Sequence, residues 1–328
     1  MRFVSGPAIR SFAFVVALVV VPWLLLGTQQ FTNAMTLGSI YALVALGYTM
    51  VYGIIELINF AHGDIFMVGA FLAMWIMTVP LGLTNAIKEP LTLIGVLVIV
   101  LAVTMVAMGL AGVFIERFAY RPLRRAPRLA PLITAIGVSF ILQNIVYVLF
   151  GGSPRNVPQV FPLDRFDVLG GKVSYLAVFM VAVALVLMVA LQLFVSRTRL
   201  GRAMRSTAQD REAAELMGVD INQTIAITFF LAAALAGSAG VIQGLYLGSI
   251  QFNLGFFAGL KAFTAAVLGG IGNTVGAALG GFIIAFIEVG ATAAGFSRWS
   301  EVAVFTVLIL VLVFRPAGLL GQQIGERA

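Results

Sequence analysis

The chain has 328 residues, 61% of them hydrophobic and 10% charged, with a mean hydropathy of +1.07. A soluble domain carries about 25% charged residues, so the composition excludes one. Disorder, collagen and a disulfide scaffold are excluded as well, since the 35 Gly follow no strict period and Cys is absent. The apolar runs are too long and too weakly alternating for a β-barrel, which leaves an all-α integral membrane protein.

Apolar runs predict spans at 11–27, 31–53, 60–79, 91–115, 130–150, 175–195 and 224–248. A short segment at 256–271 follows, then spans at 275–293 and 301–315. The expectation is a polytopic helical bundle of about 10 spans (8–10) in one transmembrane domain over 1–328. Arg2 and Arg10 precede an apolar core as in a signal peptide, but no small-x-small site follows Leu26, so the first helix is expected to be retained.

Segment 256–271 is short for a crossing and carries Lys261, so charge parity decides it. With the N-terminus in the cytoplasm and the segment crossing, 14 basic residues fall inside. They include Arg117, Arg121, Arg124, Arg125, Arg128, Arg197, Arg199, Arg202, Arg205, Arg315 and Arg327. Five fall outside: Lys88, Arg155, Arg165, Lys172 and Arg298. That bias satisfies the positive-inside rule with both termini cytoplasmic. The net charge of +7 therefore reads as topology rather than nucleic-acid binding. Without Cys, and with His62 as the single histidine, neither a redox centre nor a Cys- or His-rich metal site is available.

Two loops stand out. The outer loop 151–174 mixes Arg155, Asp164, Arg165, Asp167 and Lys172 with Val157, Val160, Phe161 and Phe166, and offers a folded surface. The inner loop 196–223 holds good helix formers from Gln209 to Met217, then Gly218 as a stop. Asp220 is placed to cap the next span, with Gln223 in register. Snorkelling arginines explain the charges of this loop. They do not explain a small face, Ala213 and Ala214, beside Leu216 and Met217, which suits cover by another protein.

Next to Arg211, the run Glu212-Ala213-Ala214, with Gly218 four residues on, resembles the cytoplasmic signature of ABC-transporter permeases. The wider stretch Thr198–Val219 resembles the LivH-type permeases of branched-chain amino acid importers. Gly53-Ile54-Ile55-Glu56-Leu57-Ile58-Asn59-Phe60-Ala61-His62-Gly63-Asp64 and Leu260–Gly272 support the match, which runs from about 30 to 315. A Leu-Pro pair that continues the family signature is absent here. The resemblance implies a helix that docks into an ATP-hydrolysing subunit. It also implies a second, LivM-type permease, two ABC ATPase subunits and a periplasmic or extracellular substrate-binding protein. The place is the inner (plasma) membrane and the substrate class branched-chain amino acids, with urea, short amides or other small polar organic solutes as the alternative within the family.

Further residues carry two readings each. Asn59, His62, Gly63 and Asp64, expected at the cytoplasmic ends of two spans, form either a gate at the inner mouth or a tight cap, with Asn59 capping span 3. Gly240, Gly244 and Gly248, and Gly272, Gly276 and Gly280, make i, i+4, i+8 stripes for close helix packing, within the chain or against a partner. Lys261 and Glu288, each about 7.5 Å deep in this topology, either pair or stand apart, with Lys261 snorkelling outward.

No bond chemistry is expected of this chain. Its single Gly-Lys pair, Gly171-Lys172, is followed by Val173 and lies outside, so it is no P-loop. No cofactor is expected on the chain itself, with ATP on partner subunits. An ion-coupled secondary transporter, the rival of another class, would want carboxylates near mid-membrane, and Glu288 alone is well inside a span.

Overall fold

The computed structural model describes residues 7–321 apart from 58, 125, 128, 163, 169 and 316, with side chains from residue 22 onward. Ile58 and the basic residues Arg2, Arg125, Arg128 and Arg327 lie outside the described residues, as does the Arg10 side chain.

The helices are α1 (Pro7–Ile55), α2 (Ala61–Thr78), α3 (Pro90–Ile115), α4 (Leu129–Phe150), α5 (Tyr175–Arg197), α6 (Arg199–Gln209), α7 (Arg211–Leu216), α8 (Ile221–Leu247), α9 (Leu254–Gly269), α10 (Thr274–Ala293) and α11 (Ser300–Phe314). Strand content among the described residues is two small antiparallel pairs. β1 (Arg155–Asn156) pairs with β4 (Ser249–Ile250), and β2 (Arg165–Val168) with β3 (Gly171–Ser174). Backbone polar groups in a bilayer must be satisfied within the span, so helices carry every crossing.

The span count falls within the expected range. The expected spans 11–27 and 31–53 correspond to two helical stretches of α1 that meet at a kink at Gly27, whose φ of 73° and ψ of 166° are non-helical. No loop separates them, because glycine alone takes the break without a Cβ clash. Among the described residues, eight helices are long and apolar enough to cross a membrane, with α9 as a shorter ninth.

Contacts sort the chain into two faces. On one, Arg211 donates to the Ile54 carbonyl, Arg124 to Asn222, and Gly53 approaches Gly272. On the other, β1 pairs with β4, the Ile87 amide donates to the Val160 carbonyl, and Gly171 lies against Thr28. The chain entering α9 leaves from the β4 face, and the turn after it sits by Gly53. So 256–271 runs through the bundle rather than returning to its own side.

Helices α1, α2 and α8 are nearly enclosed, whereas α4, α5 and α11 turn most of their surface outward. Small residues let the central helices meet at backbone distance. A Cβ at Gly240 would stand 2.2 Å from the Phe66 carbonyl oxygen on α2, and one at Gly280 2.0 Å from that of Ala265 on α9. The expected stripes hold only in part. Gly276 packs on Gly269 of α9, but Gly244 meets only side chains, Gly248 is the left-handed cap of α8, and Gly272 precedes α10 in a turn. The contacts that exist are within the chain.

Candidate functional site

The loop after α5 contains two helices where one was expected. Thr198 caps α6, its side chain accepting from the Gly201 amide, and Asp210 caps α7 by accepting from the Ala213 amide. The expected helix from Gln209 to Met217 is therefore broken at Asp210, whose φ of −156° is extended. The cap competes with helix continuation, which is why good helix formers on both sides do not fuse. Gly218, at φ 83°, closes α7, and the Val219 amide returns to the Ala214 carbonyl at 3.0 Å. Asp220 accepts from the Gln223 amide at 3.0 Å and opens α8.

The outward face of α7 also differs from expectation. Ala214 is buried against the chain itself, while Leu216 and Met217 are 89% and 85% exposed, with Glu212, Ala213 and Gly218 beside them. Arg211 ties this element to the bundle, its Nη2 donating to the Ile54 carbonyl at 2.8 Å.

Ile54 stands at the end of α1, where Glu56 takes φ 54°, the one non-glycine residue with positive φ among those described. From there the chain re-enters the bundle. Asn59 to Asp64 were expected at the mouth; they lie inside it. The Asn59 carboxamide oxygen accepts from Tyr120 Oη at 2.7 Å, and Tyr120 rests on Phe229. The His62 ring packs 4.7 Å from Tyr48, and a Cβ at Gly47 would stand 2.2 Å from its Nε2. Gly47 is eight residues from Ile55, so His62 sits about 12 Å in from the end of α1. Asn59 does not cap α2, whose N-cap is Phe60 with no side-chain bond. Gly63 meets the Gly255 carbonyl at the start of α9. Asp64 is buried and accepts from Gln143 at 3.0 Å and from Ser139, both on α4. Asn59 Nδ2 and His62 Nε2 are buried without a hydrogen-bond partner.

Lys261 and Glu288 meet. Lys261 Nζ is 2.7 Å from Glu288 Oε1 and 3.5 Å from Glu301 Oε1, and Tyr41 donates to Glu288 Oε2 at 2.8 Å. Lys261 is seven residues into α9 and Glu288 five from the end of α10, so the lysine stem covers the difference in depth. Sequence reasoning passed over Tyr41, Glu301, Tyr120, Ser139 and Gln143, whose polar groups in apolar runs were the available signal.

Two cavities open on the two faces. One, of about 150 Å³, lies beside α7 among the ends of α1, α3 and α8, with Glu116 and Arg124 in its wall. Glu116 and Arg124 form an ion pair. Burial pulls the Arg124 guanidinium below the ordinary arginine range, and Glu116 opposes that. The other, of about 280 Å³, lies by the 158–165 loop, with Gln29, Thr32, Asn33 and Thr36 along one side of α1. Among the described residues no cluster of His, Asp and Glu could hold a metal.

A family model described as branched-chain amino acid transport system / permease component matches residues 30–313. The high-affinity branched-chain amino acid transport system permease protein BraD of Pseudomonas aeruginosa is 44% identical over 304 residues, covering 91% of this chain and 97% of BraD. LivH of Escherichia coli, of the same description, is 40% identical over 306 residues, covering 91% and 97%. The ribose import permease protein RbsC of Escherichia coli is 26% identical over 292 residues, covering 86% and 83%.

Proposed function

The chain belongs to the branched-chain amino acid transport permease family, and from that premise we propose that it is the LivH-type subunit of an ABC importer carrying leucine, isoleucine and valine across the inner membrane. It is a multi-pass membrane permease. Its partners are a LivM-type permease, two ABC ATPase subunits, on which ATP is bound, and an external substrate-binding protein. The face carrying α6 and α7 is cytoplasmic and the face carrying 151–174 external, which follows from the arginine bias between them.

The observation that carries this reading is α7. A capped, six-residue helix presents Leu216 and Met217 almost fully to solvent on the arginine-bearing face, while Arg211 fixes it to the end of α1. Large apolar side chains held outward on a rigid element suit the cleft of a partner. A push on α7 reaches the α1–α2 link through Arg211 and Ile54, and from there His62 and Asp64 at the heart of the bundle. The partly unsatisfied buried polar groups of that link suit a segment with a second arrangement.

Leu216→Asp and Met217→Asp in the assembled transporter should each lower ATPase stimulation by loaded binding protein about tenfold or more, with membrane insertion intact. A tenfold loss corresponds to about 1.4 kcal/mol, within the range for removing an interface anchor. Full stimulation in both variants would refute the role of α7.

A further inference from the structure

The 150 Å³ cavity has a lining that neither α7 docking nor solute passage requires. Four charged residues, Glu56, Glu116, Arg124 and Arg211, share it with apolar groups that include Leu123, Ile225 and Phe229. Among the described lining residues, two carboxylates and two guanidinium groups balance, so the wall offers poles of both signs. It complements a small molecule that carries one ammonium, one carboxylate and an aliphatic body. Glu116 is buried, and a carboxylate has about four lone-pair sites, of which the described bond to Arg124 takes one. Arg211 uses one donor of five toward Ile54, leaving its fork to grip a carboxylate in bidentate fashion.

We propose that this cavity binds an α-amino acid zwitterion with a branched aliphatic side chain, and that its occupancy slows transport from the product side. The carboxylate lies on Arg211 and Arg124, the ammonium on Glu116 and Glu56, and the side chain on the apolar wall. The proposal rests on the importer reading above for its ligand and for the role of α7. Arg211 is the first residue of α7, Glu56 follows the end of α1, and Glu116 and Arg124 follow α3. A ligand that joins all three holds α7 in the present arrangement. It therefore opposes any state in which α7 moves, by as much as its affinity differs between the two states.

The test uses the complete transporter in proteoliposomes, with ATP in the lumen and binding protein plus labelled leucine outside. Lumenal leucine should lower the initial uptake rate about fivefold or more, the low end of ordinary allosteric coupling. 4-Methylpentanoate, which is leucine without the ammonium, and isoamylamine, which is leucine without the carboxylate, should not. Leu123→Trp and Ala126→Leu narrow the cavity and should abolish the inhibition while uptake into empty vesicles persists. Since the chain has no Cys, Ala126→Cys provides a direct reporter: leucine, but not 4-methylpentanoate, should slow its labelling by a thiol reagent. Uptake that lumenal leucine leaves unchanged, inhibition that survives in both narrowed variants, or labelling indifferent to leucine would each overturn this proposal alone. No leucine uptake into empty vesicles would overturn the importer reading and this proposal with it.

Discussion

Lys261 is shared between two carboxylates, and Glu288 between a lysine and a tyrosine, so the four side chains work as one charged knot across α1, α9, α10 and α11. Removing one member leaves an uncompensated charge in a low-dielectric setting. Lys261→Ala and Glu288→Ala should each damage assembly, and the double variant should be milder than the sum, with a coupling of about 1 kcal/mol or more in a double-mutant cycle read by thermal melting of the complex. Strict additivity would mean that the pair contributes nothing as a pair. Glycines divide just as sharply. Gly240→Val and Gly280→Val must displace backbone and should cost about 1–3 kcal/mol, whereas Gly244→Ala, which would meet the Val157 side chain at 3.5 Å, should be close to neutral in the same melt. The repeat of Gly240, Gly244 and Gly248 was visible in the sequence. Which of the three touches backbone depended on where α2 crosses α8, and no local pattern encodes a crossing point.

At the scale of the element, helix ends decide what the loops can do. Asp210 and Gly218 bound α7 tightly, and both are small polar or glycine signals readable without a structure. The break at Asp210 was missed because propensity on either side argued for continuity, while one cap geometry outweighed it. Asp210→Ala should remove that cap, at a cost of about 1 kcal/mol to the turn. It should also loosen the seat of Leu216 and Met217, lowering stimulated ATPase activity by less than Leu216→Asp does; an equal or greater loss would argue that Asp210 itself meets a partner. The α1–α2 link was misplaced for a different reason. Apolar content marks the spans, but a polar stretch between two spans reads as a mouth whether it lies at the surface or dips about 12 Å inside. Only the partners of Asn59, His62 and Asp64 reveal the depth.

For the whole molecule, span positions from 60 onward fell within a few residues of the helices, because hydropathy and a bilayer of fixed thickness constrain them strongly. The first two expected spans meet at Gly27 with no loop between them, a joint that a glycine in an apolar run does not announce. The two-face arrangement yields a topology test that the absence of Cys makes clean. A cysteine at Asn156 should react with a membrane-impermeant thiol reagent in intact cells. Cysteines at Glu215 and Asn273 should react only after permeabilisation, and labelling of Asn273 from outside would remove α9 as a pass through the bundle.

The turn between α9 and α10 is closed only in part by its own residues, the Asn273 amide donating to the Gly270 carbonyl at 3.1 Å. The Leu268 and Gly269 carbonyls accept from the amides of Leu319 and Leu320 at 2.8 and 3.0 Å, and Asn273 Nδ2 donates to the Leu320 carbonyl at 2.9 Å. During synthesis, then, α9 and α10 enter the membrane with that corner incomplete. It closes only when α11 has threaded through and the chain beyond it folds back. A stop at Arg315 would strand those carbonyls, at a cost of about 1–3 kcal/mol for each that stays buried. The product should insert with all its helices yet be cleared by quality-control proteases, which pulse-chase labelling would show as a shortened lifetime rather than failed insertion.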